Sequence, residues 1–207
     1  MLTRMVNYRM DNWSEHRRVF EDIYTKKLWG GGSGSGSRVE NCFPLIGWLQ
    51  HFIREHGVAD IIDFGCGDWQ WMRYVNLSGV SYLGIDVVQS LIDENRLVHG
   101  ASNIKFQIAG NLGDLPNTDC VFFKDVLQHL PNSTVHRILR EVTRKARFIV
   151  SINGTNKNVN DDIIIGGYRS LDLKLPPFNL PATSTYTYKV SGEQEKLIQI
   201  LENQEVI

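Results

Sequence analysis

The sequence contains no run of 18 or more apolar residues, and its opening stretch, MLTRMVNYRMDNW, lacks an apolar core of signal-peptide length. A membrane-spanning helix and a cleaved secretory leader are therefore not expected. Cysteine is scarce. Cys42, Cys66 and Cys120 are odd in number, far apart and without a CxxC pair. This argues against a disulfide framework or a cysteine-based zinc site, and for a reducing, cytoplasmic compartment. There is no excess charge of either sign: 22 Lys and Arg face 23 Asp and Glu, a formal net charge of -1. General attraction to nucleic acid or to an acidic membrane is thus missing. No internal repeat is visible.

What the chain does contain is a globular composition. Hydrophobic residues make up 42% of 207 positions and five are tryptophan, too many for a disordered chain and enough for one domain with a sizeable core. Five of the 18 glycines fall between Gly30 and Gly36, a density that by itself reads as a flexible linker. Residues 12–28 and 39–56 show helical spacing, the second with Gly57 as C-cap. Beyond that, short apolar runs alternate with helical segments: ADIIDF, 68–76, SYLGIDVV, 89–98, NIKFQI, DCVFFK, 133–146 and RFIVSI. Such alternation predicts parallel strands joined by crossovers. TSTYTYKV and KLIQILEN, flanking Ser191-Gly192, predict an antiparallel hairpin at the end. The expected fold is α/β and Rossmann-like: a mostly parallel seven-stranded sheet with an antiparallel C-terminal hairpin and helices on both faces.

The segment IIDFGCGDWQWM, residues 61–72, reads as a strand ending at Asp63, a glycine loop with Gly65 and Gly67, and a helix from near Asp68. Glycines there let a ligand approach the backbone. The next strand ends in Asp86, 19 residues after Gly67 and close to the spacing of a ribose-binding carboxylate. A dinucleotide site would want a third glycine where Gln70 stands, and the flanking Trp69 and Trp71 crowd the space of a pyrophosphate. Asp63 would repel a pyrophosphate and attract an ammonium. The pattern D-x-G-x-G resembles the class I S-adenosylmethionine-dependent methyltransferases, whose cofactor carries an ammonium and a sulfonium and no phosphate.

The resemblance extends over residues 18–182. It is to a bacterial and viral group of class I methyltransferases, many encoded beside glycan-assembly genes. Its motifs are matched by Trp29-Gly30 with Ser33–Ser37, by Cys66–Met72 (CGDWQWM), by Lys124–Leu130 (KDVLQHL) and by Asn160–Pro181. Viral members include the methyltransferase domain of a chlorovirus multidomain glycosyltransferase, which O-methylates a capsid glycan. The resemblance implies a single domain over 1–207, divided into N-terminal helices with a Gly/Ser lid (1–57), a cofactor core (58–153) and an acceptor loop with the final hairpin (154–207). It implies an S-adenosylmethionine site formed by Asp63, Gly65, Gly67, Asp68, Trp69, Asp86, Val87 and Lys124. Ser37 and Arg38 would close on the carboxylate end. The glycine cluster then becomes a native lid rather than a linker. The implied partners are a sugar or glycan acceptor and glycosyltransferase domains, fused or associated, with no nucleic acid. A viral source would place the protein in the host cytoplasm. Two departures stand out. Gly110 and Asn111 replace the acidic residue expected near the adenine, leaving the Asn111 amide as a weaker acceptor. The family's last-strand motif is not recognisable in EKLIQILEN.

Methyl transfer from a sulfonium is an in-line displacement in which the protein aligns the reactants and excludes water. A sugar hydroxyl needs a general base or a metal. His129 is the candidate base; Asp125, four residues earlier, would orient it, touch the acceptor or hold a divalent ion. A purely structural turn remains open for both. The Pro-Pro-aromatic motif of enzymes that methylate planar nitrogens is absent after the fourth strand; Pro176–Phe178 stands too late and reads as a rigid turn. The long polar segment after the fifth strand offers Asn160, Asp161, Asp162, Tyr168 and Arg169 as acceptor contacts. Trp69 and Trp71 either stack on a sugar or pack the core. The basic stretch from Arg137 to Arg147 reads as a solvated helix face, with RNA binding as the lesser alternative. The function expected is sugar O-methylation. The alternatives are methylation of another small polar molecule or RNA, or a non-catalytic cofactor-binding module.

Overall fold

The computed structural model describes residues 13–155, 158–190 and 195–203. The expected turn at Ser191-Gly192 lies outside them, as does Asn12, the first residue of the first expected helix. In chain order the elements are α1 (Ser14–Thr25), α2 (Val39–His56), β1 (Asp60–Phe64), β2 (Ser81–Asp86), α3 (Gln89–His99), β3 (Ile104–Ile108), β4 (Thr118–Lys124), α4 (Asn132–Val142), β5 (Ala146–Gly154), β6 (Ser184–Lys189) and β7 (Glu195–Glu202). The sheet has seven strands in the order β3-β2-β1-β4-β5-β7-β6. The first five are parallel, and β7 runs antiparallel between β5 and β6. This is the expected fold.

The period of two along the central strands explains the layers. Ile61, Cys120, Phe122, Phe148 and Val150 face one apolar cluster, which α2 covers with Leu45, Leu49 and Phe52. Ile62, Val121, Phe123 and Ile149 face a second cluster, covered by Val135, Ile138 and Val142 of α4. Strands buried on both sides read as continuous apolar runs, which is why DIIDF and CVFFK stand out in the sequence. α2 stops at Gly57, whose left-handed φ of 59° lets Val58 N–H reach back to the Ile53 carbonyl.

The helix expected over 68–76 is not formed. Residues 65–80 cross from β1 to β2 with only a 3-10 turn, Met72–Tyr74. Trp69 and Trp71 are both buried in the first cluster. Residues two apart on a helix point to opposite faces, so a helix would have exposed one of them. The chain instead kinks at Trp69, where φ is +53°. No helix among the described residues is long and apolar enough to cross a membrane.

Candidate active site

Strand order reverses between β1 and β4, and in such sheets ligands bind beyond the carboxyl ends at the reversal. A cavity of about 440 Å³ opens there. Its floor is the ends of four strands: Asp63–Cys66 after β1, Asp86 and Val87 after β2, Ala109 after β3, and Lys124–Val126 after β4. Its roof is α1, through His16, Phe20 and Tyr24, and the glycine-rich segment through Trp29 and Ser33–Ser37.

One end of the cavity is built from backbone and carboxylates. Gly65 N–H and Cys66 N–H both donate to the Ile85 carbonyl, tying the β1 loop to β2. Gly65 has φ +80°, and a Cβ there would lie 2.4 Å from Val126, so no other residue fits. Asp86 accepts from Gly67 N–H and Val88 N–H, both at 3.0 Å. Burial raises its pKa above the ordinary value, and those backbone donors offset part of the rise. Asp63 accepts from the Tyr82 hydroxyl at 2.6 Å. Burial, opposed by that hydrogen bond and reinforced by Asp86, pushes its carboxyl up to about 7. A buried carboxylate short of a full counter-charge suits a cationic ligand. The roof is latched at this end. Ser33 N–H and Oγ donate to the two Asp68 carboxylate oxygens, and the Tyr24 hydroxyl donates to Ser33 Oγ at 2.7 Å.

The other end is built from buried side chains. Lys124 Nζ donates to Asp125 Oδ2 at 2.7 Å and to the Gly36 carbonyl at 2.8 Å; Lys196 Nζ donates to Asp125 Oδ1 at 2.6 Å. Burial alone would raise the Asp125 carboxyl, but the two ammonium groups prevail and hold it at about 2. A Cβ on Gly36 would stand 3.0 Å from the Asp125 carboxylate, so this glycine lets the roof rest on the ion cluster. Beyond it, His129 closes the 3-10 turn Leu127–His129, with Nδ1 at 2.7 Å from the Gly167 carbonyl. A carbonyl only accepts, so Nδ1 carries the proton and Nε2 offers a lone pair. A long contact of 3.4 Å from Gln128 Nε2 is the one described hydrogen-bond approach to that nitrogen. Burial lowers the His129 pKa, and the Gly167 hydrogen bond opposes this. The imidazole packs near two aromatic rings, Trp29 at 4.9 Å and Tyr168 at 5.8 Å between centroids.

Residues 62–147, from β1 to the start of β5, match the family model of a methyltransferase domain. Among curated proteins, none matches the sequence of this chain. Solved structures resemble the fold over nearly its whole length. The N-methyltransferase NodS from Bradyrhizobium japonicum WM9, in complex with S-adenosyl-L-homocysteine, is 12% identical, covers 91% of this chain and 98% of its own, and superposes with a TM-score of 0.64. Magnesium protoporphyrin IX methyltransferase from Synechocystis PCC 6803, with bound SAH, gives 12%, 90%, 99% and 0.61. The N-terminal domain of EvdMO1, in the presence of SAH and D-fucose, gives 16%, 94%, 98% and 0.58. At such identities the likeness is one of fold alone.

The cavity gathers most residues expected from the sequence: Ser37, Asp63, Gly65, Asp68, Asp86, Val87, Lys124, Asp125, His129 and Tyr168. Others lie elsewhere. Arg38 is exposed and does not line the cavity. Trp69 is buried among Tyr82, His99 and Phe106, a core residue, whereas Trp71 does reach the cavity. Asn111 is turned away: its amide oxygen accepts from Gly113 N–H and its nitrogen donates to Asp114. Asn160 is buried, with Nδ2 donating to the carbonyls of Asp172, Leu175 and Pro176, so it staples the Pro-Pro turn. Asp162 accepts from Asn132 N–H at the start of α4. Arg169 donates to the Leu130 carbonyl and to Asn132 Oδ1. These three hold the loop together and are not positioned as acceptor contacts. Asp125 does not orient His129; the Gly167 carbonyl does. Nor does Asp125 fit a divalent ion, since ammonium groups hold both its oxygens, and no cluster of three His, Cys, Asp or Glu exists among the described residues.

Residues not anticipated are Trp13, His16, Phe20 and Tyr24 of the roof, Gln128, and Lys196. Helical spacing flags Phe20 and Tyr24 as an apolar face without saying what it covers. Lys196 stands in phase with the buried Ile198 and Ile200, an alternation that marks a charged residue pointing inward.

Proposed function

We propose that this chain is an S-adenosylmethionine-dependent O-methyltransferase acting on a sugar hydroxyl of a glycan or glycan precursor. The observation that carries the reading is the cavity's division: buried carboxylates at the β1 and β2 ends, and an oriented imidazole beside aromatic rings at the β4 end. The residues fit the cofactor by chemistry. Asp63 would accept from its ammonium, Asp86 from its ribose hydroxyls, and Ser37 and Lys124 would meet its carboxylate. When bound, S-adenosylmethionine supplies an activated methyl group on a sulfonium. The protein's own task is then to position an acceptor hydroxyl, remove its proton and keep water out. His129 Nε2 takes that proton, displacing the long Gln128 contact, while the Gly167 carbonyl stabilises the imidazolium through Nδ1–H. Trp29 and Tyr168 line the cavity beside it with aromatic rings, the kind of surface on which the C–H face of a sugar packs. The sugar acceptor rests on this feature and on the glycan-associated motifs, and with it the association with glycosyltransferase domains.

Calorimetry with S-adenosylmethionine tests the cofactor. Saturable binding is expected, and its absence would sink the enzyme reading. Incubation with methyl-labelled donor and a panel of oligosaccharides, nucleosides and RNA tests the acceptor. Label in the oligosaccharides is expected; label confined to RNA would overturn the sugar assignment.

A further inference from the structure

We infer that Lys196 is a catalytic residue that hydrogen-bonds the acceptor's nucleophilic oxygen, and that its charge restricts the site to hydroxyl rather than amine acceptors. The inference rests on the methyltransferase reading above and deepens it.

Lys196 is the second residue of β7, registered opposite Gly154 of β5, and it lines the same cavity as His129. Only 2% of its surface is exposed. A buried lysine is rare unless its charge is matched. Here Lys124 and Lys196 share one carboxylate, Asp125, so the cluster carries an ammonium in excess. An ammonium has three N–H donors, and among the described residues Asp125 is the one hydrogen-bond acceptor that Lys196 reaches. Donors therefore remain at the cavity wall, in the half that holds the base. Lys196, Asp125 and His129 all line this cavity, and Lys196 and Asp125 are joined directly.

The chemistry at that spot favours oxygen. As the acceptor oxygen bonds to the methyl carbon, the carbon–sulfur bond breaks and its electron pair stays on sulfur, leaving a neutral thioether. The hydroxyl proton passes to His129 Nε2. Negative charge developing on the oxygen is stabilised by a fixed ammonium in a water-poor site. An amine must arrive neutral and becomes cationic as its bond forms, so the same ammonium opposes it.

Two variants test this, Lys196→Met, which removes the charge, and Lys196→Arg, which keeps it. With the wild-type protein saturated in S-adenosylhomocysteine, inorganic phosphate serves as a stand-in for the charged oxygen and is titrated by calorimetry. Wild type and Lys196→Arg should bind it, and Lys196→Met should lose binding by about 10-fold or more. In turnover with labelled donor, D-fucose should be methylated and the nitrogen of D-glucosamine should not. Lys196→Met should lose about 100-fold on the hydroxyl while its affinity for S-adenosylmethionine stays within about twofold. No phosphate binding by wild type, equal binding by Lys196→Met, a loss shared by Lys196→Arg, or methylation of the amine would each overturn the inference. Failure of wild type to bind S-adenosylmethionine would instead overturn the methyltransferase reading.

Discussion

The two ends of the cavity are made by different means. At the β1–β2 end, groups within a short stretch of chain, from Asp63 to Asp68 and then Asp86, are fixed by backbone N–H groups and one tyrosine. At the β4 end, Gly36, Lys124, Asp125, His129, Gly167 and Lys196 come from four separate places in the chain and are held by ion pairs and by hydrogen bonds to carbonyls. The first end is a local motif supported by the sheet. The second exists only when distant strands are already in register, so it carries the greater mutational risk.

The largest effect should come from removing the shared carboxylate. Asp125→Ala leaves two buried ammonium groups without a partner and should cost about 3–5 kcal/mol of stability, read as a fall in the urea midpoint. Acid tests the same cluster. The folded Asp125 carboxyl lies near 2, below its ordinary 3.8, so its contribution is complete above about pH 4 and disappears as pH falls towards 2. Next comes His129→Ala, which should cut turnover by about 100-fold or more with cofactor affinity intact; a near-normal rate would remove His129 as the base. At the opposite end, Asp63→Asn should weaken S-adenosylmethionine by about 10-fold and leave folding intact. Below about 7 the wild-type Asp63 is protonated. Cofactor affinity should therefore climb as pH rises through about 7 and then level, and Asp63→Asn should abolish the climb. The smallest effect is expected from Ser33→Ala, which unlatches the roof from Asp68 and should change cofactor affinity by about 1 kcal/mol. If Ser33→Ala proved as damaging as Asp125→Ala, the contrast between the two ends would collapse.

The same contrast explains what could be read from the sequence. The alternation of parallel strands with crossovers, the final antiparallel pair, Asp63, the glycines and Asp86 are legible because each depends on spacing within one strand–loop unit or on two-residue alternation. The helix over 68–76 was misread because periodicity does not register that Trp69 and Trp71 share one cluster. Asn160, Asp162 and Arg169 look like ligand contacts in a polar loop. Only the fold shows that their partners are carbonyls, a helix N-terminus and an amide of the protein itself. The glycine cluster reads as a linker by composition, yet Ser33 and Gly36 fasten it across the cavity. Lys196 escaped notice because the last strand does not follow the family pattern, although its phase with Ile198 and Ile200 marks it as inward.

The insertion of β7 between β5 and β6 has a consequence for the order in which the protein becomes an enzyme. Synthesis runs from the N-terminus, so the loops that face Asp63 and Asp86 leave the ribosome more than a hundred residues before Lys196 does. Until that last strand slides into its slot, Asp125 has one ammonium partner instead of two and the edge of β5 is open. A nascent chain would thus acquire its grip on the methyl donor first and its capacity to use it last.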